Sequence, residues 1–152
     1  IRVAKHPLAF THSNARRLCE STRNKTDDQI LNLAGGGGVI GLNAFPAFLS
    51  SDGSRPHIQD LLDQADYLLG LAGADSVSIG LDFIEGWTDV ETVTLRKHAH
   101  AFGSSYDFPV GLEGVSQLPN LTRGFLSRGH DEQTIKGILG ENLLEFFKRV
   151  WK

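Results

Sequence analysis

The chain has 152 residues, 40% of them hydrophobic and 22% charged, which suffices for one ordinary globular domain with a sizeable core. A net charge of −3 argues against a nucleic-acid surface, and no apolar run approaches the ~20 residues that a membrane-spanning helix needs. The single cysteine, Cys19, excludes an internal disulfide framework and reads as a small apolar residue on a short helix.

The first element is a buried strand over Leu8–Thr11, which stops abruptly in a polar cluster, Thr11-His12-Ser13-Asn14. Thr26-Asp27-Asp28-Gln29 is a capping box, in which the threonine hydroxyl accepts from the third backbone N–H and the glutamine reaches back. It opens a helix to about Ala34. Gly35–Gly38 ends that helix and leads into a second strand, Val39-Ile40-Gly41-Leu42-Asn43. The stretch from Pro46 to Pro56 reads as loop, with turn chemistry in Ser50-Ser51-Asp52-Gly53. Ile58, Leu61, Leu62, Ala65, Leu68, Leu69 and Ala72 recur at helical spacing, and Gly73 follows as a cap. Val77–Leu81 is the third strand, ending in Asp82. Residues 84–117 show no clear periodicity. A short helix over Leu118–Ser127 precedes Gly129. Asp131 then caps a final helix with Ile135, Ile138, Leu139, Leu143, Phe146, Phe147 and Val150 on one face.

Strands alternating with helices imply βαβ units and a parallel sheet. In α/β barrels the chemistry sits at the C-terminal tips of the strands. Here those tips carry His12, Asn43 and Asp82. An imidazole and a carboxylate at the tips of two strands are the raw material of a metal-assisted hydrolase.

The same residues carry a resemblance. Phe10-Thr11-His12-Ser13-Asn14-Ala15, Arg23-Asn24 with Asp27-Asp28, and Gly36-Gly37-Gly38-Val39-Ile40-Gly41-Leu42-Asn43 come first. Ile79-Gly80-Leu81-Asp82-Phe83, Pro109 with Gly111-Leu112-Glu113, and Ile138-Leu139-Gly140 with Asn142-Leu143 follow. In this order, across nearly the whole chain, they resemble the C-terminal part of the membrane (renal-type) dipeptidases, a family of binuclear zinc peptidases. The resemblance implies that residues 1–152 are one partial-barrel domain, the last three strands of a (β/α)8 barrel. It implies an enzyme that hydrolyses dipeptides through a hydroxide bridging two Zn2+ ions. His12 would be a metal ligand. Arg23, eleven residues on, would hold the substrate's C-terminal carboxylate in its planar fork. Asp82 would carry the proton at the scissile amide, and Asn43 would line the substrate pocket or orient a neighbour. The chain departs from the commoner Asp-Phe-Asp-Gly, having Asp82-Phe83-Ile84-Glu85-Gly86.

Each residue has a plainer reading: a half-buried histidine bonded to backbone, a solvated arginine, an aspartate capping a turn. Gly35–Gly38 precedes a strand and lacks a following Gly-Lys-Ser/Thr, so it is a helix-to-strand turn and not a phosphate loop. His98-Ala99-His100 could present two ligands on a strand, but lies in the irregular segment. Trp87, Phe102, Tyr106 and Phe108 are candidates for the pocket mouth. The sequons at Asn24 and Asn120 matter only in a secreted protein.

The chain begins Ile-Arg-Val-Ala-Lys-His and contains no methionine, as expected of an excised or processed piece. In the family the other ligands would precede Ile1, so a missing N-terminal segment or a complementary chain is the expected partner, beside the dipeptide. The isolated piece is expected to be inactive. No nucleic acid or membrane segment is expected, a homo-oligomer is allowed, and the compartment is open with the cytoplasm as the default. The alternative is a non-catalytic truncated barrel acting as a binding or assembly module.

Overall fold

The protein is described by a computed structural model over residues 4–84 and 107–151, together with Val93, Thr94 and Lys97. Three parallel strands, β1 (Ala9–Phe10), β2 (Val39–Leu42) and β3 (Val77–Ile79), form a sheet in that order. β2 is central and buried at every position, as its unbroken apolar run requires in a parallel sheet covered on both faces. The expected strand ends, Thr11 and Leu81, lie beyond the regular ladder. Sheet-like bonds nevertheless continue: Gly80 N–H donates to Leu42 O (2.9 Å), and Ala44 N–H to Leu81 O (3.2 Å).

The crossover helices form where the sequence pattern places them. α1 (Asp27–Gly35) begins at the expected box: Gln29 N–H donates to Thr26 Oγ1 (3.3 Å), and Gln29 Oε1 accepts from Thr26 N–H (3.0 Å). α2 (Ile58–Ala72) has the expected limits and turns out at Gly73 with φ 84°. Its start carries a box the sequence reading missed, in which Asp60 accepts from His57 N–H at 2.7 Å. Leu61, Leu62, Ala65 and Leu68 of α2 meet Ile30 and Leu33 of α1 over Ile40, Leu42 and Val77 of the sheet. α3 (Pro119–Ser127) adds Leu121 and Phe125 to that core.

The last helix differs from expectation. It begins at Asp131, whose carboxylate accepts from Thr134 N–H at 2.7 Å, but it is not continuous. α4 (Glu132–Lys136) and α5 (Asn142–Val150) are separated by a wide turn over Gly137–Glu141, where Gly140 leaves helical backbone. β3 takes over the local bonding. Ser78 donates its hydroxyl to Ile138 O (3.2 Å), and Asn142 donates its amide to Ala74 O and Val77 O (2.7 Å each). Cys19 is buried as expected, but in a turn rather than a helix. Among the described residues no helix is long and apolar enough to cross a membrane.

Candidate active site

The chemistry is placed by an irregularity at the tip of β1. The register pairs Phe10 with Ile40, so a regular ladder would bring the His12 N–H onto the Gly41 carbonyl. The bond is made by Ser13 N–H instead (2.7 Å). One extra residue is thus accommodated at Thr11–His12, a bulge of the kind that re-aims a side chain at a sheet's working end. The Thr11 carbonyl drops over the sheet, into space that exists because residues 41 and 80 are glycines. A Cβ at either would collide with the Thr11 carbonyl oxygen.

His12 emerges from this bulge exposed to solvent. Its Nδ1 lies 2.8 Å from Thr11 Oγ1, and its Nε2 lies 3.4 Å from Arg23 Nη2. A guanidinium only donates, so Nε2 is the acceptor and Nδ1 carries the hydrogen toward Thr11. The free lone pair of His12 is therefore the one facing Arg23.

Arg23 is exposed and well supported. Its guanidinium lies over the Phe48 ring, 5.3 Å from the centroid, and its backbone carbonyl accepts from the Ser13 hydroxyl at 2.9 Å. Lys25 Nζ donates to the same carbonyl at 2.7 Å. Burial, then the positive charges of Arg23 and Arg16, push the Lys25 pKa down, so this flank of the site is crowded with cations. Phe48 stands in the short 3-10 turn Pro46–Phe48. Its carbonyl accepts from both Asn14 Nδ2 (3.1 Å) and Asn24 Nδ2 (3.0 Å). Two buried asparagines thus hold the ring on which Arg23 rests.

Asp82 follows β3 with φ 62°, the single non-glycine in the left-handed region among the described residues. Aspartate tolerates that backbone better than most residues, though at a cost that functional sites commonly carry. Its Oδ2 accepts from Asn43 Nδ2 at 3.3 Å. Asn43 is fully buried at the tip of β2. The four residues singled out in the sequence therefore form one linked group: Arg23 with His12, and Asn43 reaching both Asp82 and the His12 carbonyl (3.5 Å).

Phe108 packs edge-on against Phe83 (5.0 Å) and Phe45 (6.3 Å) beside this mouth. Trp87, Phe102, Tyr106, His98, His100 and Glu85 lie outside the described residues. Asn24, the first sequon, is buried and donates to Cys19 O (2.9 Å) and Phe48 O, so it is a structural residue and not a glycan acceptor in this fold.

The family model for membrane dipeptidases, peptidase family M19, matches residues 1–95 and 98–152. The chain belongs to this family. It is 34% identical over 152 residues to an uncharacterised protein from the pqqA 5' region of Klebsiella pneumoniae, covering 98% of this chain and 49% of that one. Among solved structures, an amidohydrolase from Pseudomonas aeruginosa superposes with a TM-score of 0.83 at 29% identity, over 97% of this chain and 47% of that one. A metallopeptidase from Rhodobacter sphaeroides, solved with a phosphinate mimic of the dipeptide L-Ala-D-Ala, gives 0.79 at 31% identity, over 99% and 38%. The chain thus spans about half, or less, of the length of these relatives. Membership establishes a hydrolase of the metallo-dipeptidase type as the family background.

The family implies metal dependence. Among the described residues no group of three or more His, Cys, Asp or Glu could hold a metal ion. His12 fits one position of a shared site: an exposed imidazole at a strand tip, with Nδ1 tied to a hydroxyl and the Nε2 lone pair facing the Arg23 guanidinium, which a metal would have to displace. Sequence reasoning missed the supporting residues Asn14, Phe48, Gly41 and Gly80. Asn14, Gly41 and Gly80 lie inside the quoted motifs and Phe48 in the stretch read as loop, and the roles of all four depend on contacts across the strands.

Proposed function

We propose that this chain contributes three strand tips of a closed (β/α)8 barrel to a zinc dipeptidase, with the remaining metal ligands supplied by strands outside these 152 residues. The observation that carries the reading is the convergence of His12, Arg23, Asn43 and Asp82 from three parallel strands and one loop. Residues 1–152 would be one partial-barrel domain. Both outer strands, β1 and β3, would pair with the missing segment or a complementary chain, since open parallel edges invite association.

His12 would hold one zinc through Nε2, with Nδ1 fixed on Thr11. Zinc, when bound, would supply an activated water near neutral pH and polarisation of the scissile carbonyl. Arg23, displaced from His12, would turn its fork to the C-terminal carboxylate of a dipeptide while keeping Phe48 beneath it. That contact selects substrates with a free carboxylate close to the scissile bond. Asp82 would accept the proton of the attacking water and return it to the leaving amine nitrogen, so no net proton is gained or lost by the enzyme.

The test uses the complete protein with zinc and a panel of dipeptides. Asp82→Asn keeps the shape and removes the base, so kcat is expected to fall by roughly 10²–10⁴-fold with bound zinc unchanged. A near-normal kcat would remove Asp82 from the mechanism. The 152-residue chain alone, with zinc in excess, is expected to leave every dipeptide intact. Hydrolysis that vanishes on chelation would show that the chain builds its own site, and the divided ligand set would be wrong.

A further inference from the structure

Asn43 is fully buried, yet every polar group of its side chain is engaged. Its Oδ1 accepts from Phe45 N–H at 2.6 Å. That partner can only donate, so the amide orientation is settled by chemistry, and Nδ2 points the other way. There it meets two groups that only accept when the carboxyl is ionised: Asp82 Oδ2 at 3.3 Å, and the His12 carbonyl at 3.5 Å. Both contacts are long, as catalytic hydrogen bonds commonly are before substrate binds.

The backbone of Asn43 is fixed as well. Asn14, also fully buried, accepts from Asn43 N–H through Oδ1 (2.9 Å) and donates to Asn43 O through Nδ2 (2.8 Å). One side chain from the β1 tip thus grips both peptide groups of the residue at the β2 tip. The side chain of that residue in turn reaches the β3 tip. Three strand ends are joined through two asparagines, both uncharged and fully buried.

We infer that Asn43, held by Asn14, is the positioning residue for Asp82: it sets the carboxylate's place relative to the His12 bulge and does not touch substrate. This rests on the reading of Asp82 as proton carrier. The physical reason is distance. Asp82 stands on left-handed backbone just past the end of a strand and is exposed, so a neighbouring donor can decide where its carboxylate sits. A neutral donor behind it, shared between one Asp82 oxygen and the His12 carbonyl, ties the carboxylate to the bulge without moving substrate recognition, which belongs to Arg23 on the other flank.

The experiment is a double-mutant cycle in the complete, zinc-loaded enzyme, with dipeptide hydrolysis and bound zinc as readouts. Asn43→Leu, similar in volume and without donors, is expected to lower kcat by roughly 10²-fold, the usual cost of about 1 Å of misplacement. KM and zinc stoichiometry are expected to hold. In the Asp82→Asn background the same change is expected to cost nothing further, because its route to the chemistry is already gone. Should Asn43→Leu fail to fold, Asn43→Ser can still accept from Phe45 N–H through its hydroxyl, adds no charge, lacks the amide that faces Asp82, and is expected to give the same pattern. A raised KM at unchanged kcat would make Asn43 a substrate contact and overturn the inference. Loss of zinc, or a full additional loss in the Asp82→Asn background, would also overturn it. A slow Asp82→Asn beside a normal Asn43→Leu sinks the positioning role alone. A normal Asp82→Asn sinks the proton-carrier reading, and this inference with it.

Discussion

Gly80→Ala addresses the bulge on which the site depends. The backbone at Gly80 is not in the left-handed region, so alanine is acceptable to the chain itself, and only the neighbours object. The new methyl carbon would lie far inside contact with the Thr11 carbonyl oxygen, 3.0 Å from its carbon and 3.3 Å from the His12 Cα. Carbon–oxygen contacts settle near ~3.3 Å and carbon–carbon contacts near ~3.5 Å, so the Thr11–His12 peptide must retreat by roughly 1 Å or more. The obstacle is backbone, which cannot swing aside as a side chain can. Overpacking of this kind costs about 1–3 kcal/mol, and the upper half of that range is expected here. His12 moves with the peptide, so bound zinc is expected to fall together with stability. Urea unfolding and metal analysis of the complete protein would measure both. Gly70→Ala is the internal control: it lies within α2 with nothing within 4 Å of the added carbon. It is expected to stabilise by up to about 1 kcal/mol through helix propensity. A Gly80→Ala protein with unchanged unfolding midpoint and full zinc content would refute the account of the bulge.

His12→Ala in the complete protein is expected to lower the zinc bound per chain, and unchanged stoichiometry would exclude His12 as a ligand. Arg23→Lys keeps the charge but loses the two-point fork and the flat stack on Phe48, so KM is expected to rise far more than kcat falls. A dipeptide amide turned over as readily as the free acid would refute the carboxylate role. The Asp52 carboxyl is lowered to about 2 by hydrogen bonds from the Ser50 hydroxyl (2.6 Å), then from Ser54. Its folded pKa lies below the unfolded value, so its contribution is present above about 3.9 and is lost as pH falls through about 2. Ser50→Ala is expected to move the Asp52 midpoint up toward the ordinary range in a carboxyl NMR titration, and a midpoint still at about 2 would show that the hydroxyl is not the cause.

The elements were legible because their signals are local. Thr26 and Gln29 lie three residues apart and close their box without outside help. The α2 pattern repeats with the helix itself, so both its limits could be read from spacing. The final helix was misread for the opposite reason. Its apolar face continues through Gly137–Glu141, whereas the backbone there answers to Ser78, Ala74 and Val77, some 60 residues earlier in the chain. The site divides in the same way. His12, Asn43 and Asp82 announce themselves as polar residues at the ends of apolar runs. Asn14 looks like any other polar residue after a strand, and its work is visible only once Asn43 lies against it.

By itself, then, the sequence determined which residues stand at the strand tips, which helices join them, and which family they resemble. Those properties follow from period, capping and motif order along one stretch of chain. The tertiary structure alone decided where the tips point. The one-residue slip that makes Ser13 rather than His12 pair with Gly41, the glycine hollow that receives the Thr11 carbonyl, and the asparagine pair behind Asp82 are all contacts between strands. Such contacts arise from how segments far apart in sequence are brought to within ångströms of each other, and no local pattern encodes that distance.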